Sequence, residues 1–161
     1  MSQHQFDSNQ RYLCFGLGEE EFAVPLLTVR EVVAMPETTH MPFMPAYFVG
    51  IMNLRGMVIS VIDLRQKMQI KPKTNSENAV VILEEGGVSV GVVVDSVNSV
   101  LNVTEKDFAE NLAAADSKNR MSCVTGVCRK DDRLILLIDI LKSLTGDDMS
   151  LISRSATRQA G

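Results

Sequence analysis

Three aspartates, Asp63, Asp95 and Asp139, close apolar, strand-like runs, a position from which carboxylates could hold a divalent ion or activate a water. A metal-dependent hydrolase built on them would bind a divalent metal tightly and lose it in Asp95→Asn. Two of the three recur in one setting, Ile62-Asp63-Leu64-Arg65 and Ile138-Asp139-Ile140-Leu141, 76 positions apart. An aspartate that opens a helical turn accepts from the free backbone N–H groups there, and this capping role accounts for both without a reaction. No serine has a base to activate it, since the only histidines are His4 and His40. His40 sits alone in a proline-rich loop and reads as a loop-packing residue. Gly16-x-Gly18 and Gly86-Gly87 lack the lysine and the following helix of a phosphate-binding loop, and read as hairpin turns. Cys14, Cys123 and Cys128 are an odd set without paired spacing, which suits reduced thiols in a cytoplasm. Cys123-x-x-x-x-Cys128 offers two soft ligands with no histidine near. The expectation is no enzyme, with no catalytic residue, no metal site and no cofactor.

Binding is the chemistry that remains. Net charge is −4 and no long basic run gathers phosphates. Aromatic residues are 5% with no Trp, so a barrel that stacks bases lacks its platform, and no nucleic-acid partner is expected. Apolar runs stop at about seven residues, against the ~20 of a spanning helix, so membrane association would come only through a partner. Val29 and Val32 flank Glu31, Phe43, Met44 and Tyr47 follow prolines, and there are nine Met. Two readings stay open: a Met-filled core, or an adaptable groove for a partner's apolar helix rimmed by Arg30, Glu31 and Arg55.

The elements that must position these residues are short. Arg11 to Leu17 and Phe22 to Val24 read as strands around a turn at Gly18 to Glu21. Pro25 opens a helical turn that, if it persists, places Leu26, Val29 and Val33 on one face. Met35 to Pro45 carries three prolines and is a stiff loop. Ala46 to Met52 and Met57 to Ile62 are strands around Asn53-Leu54-Arg55-Gly56, and Asp63 caps a turn over Leu64 to Met68. A polar seam, Ile70 to Asn78, leads to a hairpin of Ala79 to Leu83 and Val88 to Val94, then to Val97 to Val103. Thr104 caps a helical patch running towards Ala115. Met121 to Arg129 and Arg133 to Ile138 form the last hairpin, and Asp139 starts a closing helix.

The series repeats itself. Val49-Gly50-Ile51 falls on Thr125-Gly126-Val127 at the same 76-residue offset as the two aspartates. Phe22-Ala23-Val24 and Val29 to Val32 echo Val90-Gly91-Val92 and Val97 to Val100 at 68, so the second copy has gained eight residues. About ten short strands in two copies predict an all-β pair of small antiparallel barrels, closed separately or by exchange of strands. The expected organisation is a leader over 1–10, a domain over 11–146 with repeats at about 12–69 and 79–145, and a flexible tail over 147–161.

Five segments together carry a family resemblance: YLCFGLGEEEFAV from Tyr12, VREVV from Val29, FVGIMNLRGMVISVIDLRQKM from Phe48, VGVVVDSVNSVL from Val90, and TGVCRKDDRLILLIDILKSL from Thr125. Over roughly Tyr12 to Leu144 the chain resembles the CheW family, the scaffolds that couple chemoreceptors to a histidine kinase in bacterial chemotaxis. The resemblance implies two packed five-stranded SH3-like barrels with short helical segments, no enzyme activity, and a cytoplasmic protein recruited to receptor clusters. It implies two partners, the helical hairpin tip of a chemoreceptor and the regulatory domain of the kinase CheA, itself a double barrel of this kind. Receptor-binding positions carried over from the family are Val29, as an apolar contact, and Glu31 and Arg55, whose charges act on the receptor or on each other. Gly50 matches a family glycine on the kinase-binding side, with close backbone packing as its reason. The family's Pro/Phe-bearing loop is replaced here by Lys106 to Ala115, where Phe108 and Leu112 would take over the kinase contact. An adaptor of a parallel chemosensory pathway, serving surface motility or development, fits the same residues.

Overall fold

A computed structural model of the chain describes residues 10–74, 77–108 and 123–144, together with Asp148, Ser150 and Ile152. Leu112, the far end of the helical patch expected up to Ala115, His4 and most of the expected leader and tail lie outside the described residues.

Ten strands follow one another: β1 (Gln10–Leu17), β2 (Glu20–Pro25), β3 (Val29–Ala34), β4 (Phe48–Leu54), β5 (Met57–Asp63), β6 (Ala79–Glu85), β7 (Val88–Val94), β8 (Ser96–Val103), β9 (Val124–Lys130) and β10 (Arg133–Ile138). Two one-turn helices, α1 (Leu64–Lys67) and α2 (Ile140–Ser143), follow β5 and β10. Alternation of β-branched and small residues, as in Val88-Ser89-Val90-Gly91-Val92, sets the strands, and residues that tolerate positive φ set the turns. Arg55 and Gly56 close the β4–β5 hairpin at φ 50° and 85°, and Asp131 and Asp132 close β9–β10 at 50° and 63°.

The expected helical turn after Pro25 stops at Thr28, and Val29 to Ala34 is a strand paired with β6 rather than a helical face. Three β-branched residues in six favour the pleated surface, and the β6 edge supplies the hydrogen bonds a one-turn helix would lack. The patch after Thr104 is likewise a 3-10 turn over Glu105–Asp107, held by a reciprocal cap between Thr104 and Asp107, after which Phe108 bridges to Cys128.

The strands form two sheets, in the orders β3-β6-β7-β5-β4 and β8-β1-β2-β10-β9. Replacing each strand by its counterpart in the other copy converts one order into the other. Each sheet therefore takes three strands from one copy and a hairpin from the other, the exchange that the sequence left open. The repeat offsets reappear in the register: Ser60 pairs with Val90 and Leu136 with Phe22, Gly50 with Val61 and Gly126 with Leu137. The exchanged hairpins join through parallel pairs, β5 with β7 and β10 with β2, so neither barrel is wholly antiparallel as expected.

Each sheet curls over its own interior, Met52, Ile59, Val61, Val80 and Ile82 in one and Tyr12, Cys14, Cys128, Ile135 and Leu137 in the other. Between them lies the largest cluster, including Phe15, Phe22, Ile62, Leu64, Val92 and Ile138. Side chains this buried contribute about 1.5–3 kcal/mol each. Within 147–161, Asp148 and Ile152 are buried against this body, so those two positions are tied down rather than part of a free tail. Asp148 is held by the Tyr47 hydroxyl and by Lys67 Nζ at 2.7 Å.

Candidate partner-binding surface

Both outer strands of the first sheet, β3 and β4, reach the candidate site. A bulge at Arg30 shifts the register so that Val29 pairs with Leu83 and Glu31 with Ile82. Leu83 belongs to the core between the sheets and Ile82 to the barrel interior, so Val29 and Glu31 are turned to opposite sides. Val29 is half-buried against the inter-sheet core. Glu31 stands at the open side of the barrel. There it meets Arg55 from the β4–β5 turn in a two-pronged pair, Nη2–Oε1 2.8 Å and Nη1–Oε2 3.2 Å. The turn is held in shape by Asn53, whose Oδ1 accepts from the Gly56 N–H at 2.9 Å.

The sequence left Glu31 and Arg55 to act on a partner or on each other, and the geometry brings them together. The Arg55 side chain is nonetheless 78% exposed, against 23% for Glu31. An ion pair this open contributes at most about 1 kcal/mol to folding, so a partner's charge can join or replace it at little expense. Arg30, the third rim residue expected, bonds Glu84 at 3.0 Å instead. Elsewhere on the surface Leu27, Val32, Met35, Phe43 and Met57 are exposed. The methionines divide between the two readings: Met52, Met41, Met44 and Met68 fill or flank the core, while Met35 and Met57 face solvent.

The remaining expected residues are more enclosed. Gly50 is buried at φ 152°, and a Cβ there would run into the Thr39 carbonyl oxygen. Thr39 pairs with Ile51 through two backbone hydrogen bonds of 2.8 and 2.9 Å, closing the barrel between β3 and β4. The close backbone approach expected at Gly50 is thus present, and Gly50 has no surface of its own to offer. In the second barrel Phe108 does the closing, its ring 3.4 Å from where a Gly126 Cβ would stand. Phe108 is half-buried against that barrel's interior.

Asp63 and Asp139 cap α1 and α2, accepting from the Arg65 and Lys142 N–H groups at 3.0 and 3.4 Å. The sequence reading missed the partner that sits two residues after Asp63. Arg65 is buried, bonded to both oxygens of Asp63 at 2.9 and 3.0 Å, to Asp95 at 2.7 Å and to Asn78 at 3.2 Å. Its hydrogen bonds to Asp63 hold the guanidinium above its ordinary pKa against the pull of desolvation. Asp95 also accepts from the Gly18 N–H, so the cluster ties α1 to the β1–β2 turn of the other sheet. All three carboxylates are accounted for by structure. Among the described residues no three His, Cys, Asp or Glu side chains group as metal ligands, and no helix is long and apolar enough to cross a membrane. Burial raises the pKa of all three thiols, with Cys14, beside Glu21, pushed up to about 11.

Against known families, the model of the CheW-like domain matches residues 11–147. The chain is 34% identical over 154 residues to the chemotaxis protein CheW of Klebsiella aerogenes, covering 91% of this chain and 89% of that one. To the chemotaxis protein CheW of Bacillus subtilis it is 25% identical over 136 residues, covering 84% and 86%. Among solved structures, the scaffolding protein TtCheW from Thermoanaerobacter tengcongensis superposes with a TM-score of 0.73 at 29% identity, covering 81% of this chain and 89% of that one.

Proposed function

This chain belongs to the CheW-like family of non-catalytic chemotaxis scaffolds, and we propose that it couples the helical hairpin tips of chemoreceptors to the regulatory domain of the histidine kinase CheA. The observation that carries the receptor side is the open Glu31–Arg55 pair, on an outer strand whose other side carries Val29. A helical hairpin laid over the edge of β3 would reach Val29 on one side and Glu31 and Arg55 on the other, the two charges fixing its orientation.

On the kinase side, the double barrel of the CheA regulatory domain would pair with this one through equivalent faces. Val32 on β3 and Val100 on β8 are repeat counterparts, and both are exposed on outer strands. Phe108 and Gly50 support such a contact by closing their barrels, and Leu112 is proposed to join it. Each interface need reach only about micromolar affinity, roughly −8 kcal/mol, because many linked copies in an array hold one another. The protein would act in the cytoplasm and reach the membrane through receptors.

The test is sedimentation of the purified protein with receptor-bearing membranes, comparing wild type with Arg55→Glu. Co-pelleting that the substitution weakens, with Tm unchanged within a few degrees, is the expected outcome. Equal pelleting of both proteins would remove the receptor site from the β4–β5 turn.

A further inference from the structure

The two copies build the same corner twice and fill it once. In the first corner α1 follows β5, the β1–β2 turn lies across it, and Arg65 occupies the space between Asp63 and Asp95. The backbone of the second corner matches: Asp139 N donates to Cys123 O at 2.8 Å as Asp63 N donates to Tyr47 O at 2.7 Å. At the repeat offsets, however, Arg65 becomes Leu141 and Asp95 becomes Leu27, which turns out to solvent at 94% exposure. What remains is a cavity of about 100 Å³ between the sheets, lined by Thr28, Leu83, Glu85, Ile138, Asp139 and Leu141.

Its chemistry is that of a socket for a long cationic side chain. Asp139 and Glu85 stand at it, and among the described residues neither has an ion-pair partner. Arg30, two residues after Thr28, is committed to Glu84. Leu83, Ile138 and Leu141 offer the apolar wall that an arginine stem covers while its head bonds carboxylates. The molecule itself shows which side chain such a corner accepts, because the other copy holds an arginine there.

We propose that the second corner receives an arginine supplied by the receptor tip, its guanidinium bonded by Asp139 and Glu85 where the first corner holds Arg65. The assignment of the arginine to the receptor rests on the reading above, since Thr28 directly precedes Val29. The socket itself does not.

The experiment has two arms. In the first, ethylguanidinium is titrated into the isotope-labelled full chain and amide shifts are followed. Saturable shifts confined to Glu85, Asp139 and Leu141 are expected, absent in an Asp139→Asn/Glu85→Gln double variant, whose asparagine still caps α2. Leu141→Arg, which plants the first corner's arginine in the second, should block the probe. No confined shift in wild type, or the same shift in the double variant, overturns the socket. In the second arm, a soluble receptor fragment bearing the hairpin tip should bind the double variant roughly tenfold or more weakly than wild type. Loss of binding in Arg55→Glu but not in the double variant would overturn the receptor's arginine as occupant and leave the receptor site standing. Unchanged binding in both would refute the receptor site instead, with the socket judged on the first arm.

Discussion

Arg55 is held by a turn that allows it little freedom and faces solvent over most of its surface. Reversing its charge exchanges a screened attraction to Glu31 for a screened repulsion and should therefore cost folding only about 1 kcal/mol. Urea unfolding of Arg55→Glu is expected to stay near wild type, and a collapsed fold would make Arg55 structural. The buried thiols set a second expectation at this scale. Cys14 holds its proton to about pH 11 in the fold, against 9 in the open chain, and burial raises Cys123 and Cys128 too. The unfolded state thus loses protons first, so stability is intact below pH 9 and falls as pH rises towards 11. Urea midpoints between pH 8 and 11 check the sign, and a flat profile would mean that the thiols ionise alike in both states. The roles of Asp63 and Asp139 were legible from one repeated motif, because a cap acts on backbone within one turn. Arg65 was not, because its second carboxylate lies 30 residues on and meets it only after two strands have packed.

At the scale of elements, closure of each barrel depends on a segment crossing a glycine. At Gly50 the Thr39 carbonyl leaves no space and φ is 152°, so Gly50→Ala should cost about 1–3 kcal/mol through strain. Gly126→Ala meets the Phe108 ring and the Leu137 side chain at contact distances of 3.4 to 3.7 Å, with no backbone in the way, and should cost much less. Comparing the two by thermal unfolding tests whether closure, rather than glycine as such, is what matters. Phe108→Ala would loosen the second barrel, so its effect on kinase binding has to be set beside its Tm. Arg65→Met would strand two buried carboxylates and should cost about 3–5 kcal/mol, measured in urea. Hairpins were readable here from alternation and turn residues, which act within a few positions. The helical turn after Pro25 is present, but that it ends at Thr28 and gives way to the edge strand β3 is decided only by the distant β6 edge.

For the molecule as a whole, the duplication could be seen in the chain but the exchange of hairpins could not, since a repeat offset does not say which copy pairs with which. Neither half of the chain owns a complete sheet, so 1–76 and 77–161 made separately should show no cooperative unfolding, and mixing them should restore it. A stable half would contradict the exchanged arrangement. The same arrangement fixes the relation between the outer strands proposed for receptor and kinase, because every sheet is braced by both copies and the Arg65 cluster joins them across the seam. A scaffold that holds two partners at once needs that rigidity more than it needs affinity for either.

Coupling itself is tested most directly by pelleting the kinase with receptor-bearing membranes, with and without this protein, and assaying its autophosphorylation in the pellet. The kinase is expected to pellet and to respond to receptor ligand only when the wild-type protein is present, and Arg55→Glu is expected to support neither. Kinase recruited and controlled to the same degree without this protein would rule out the coupling role.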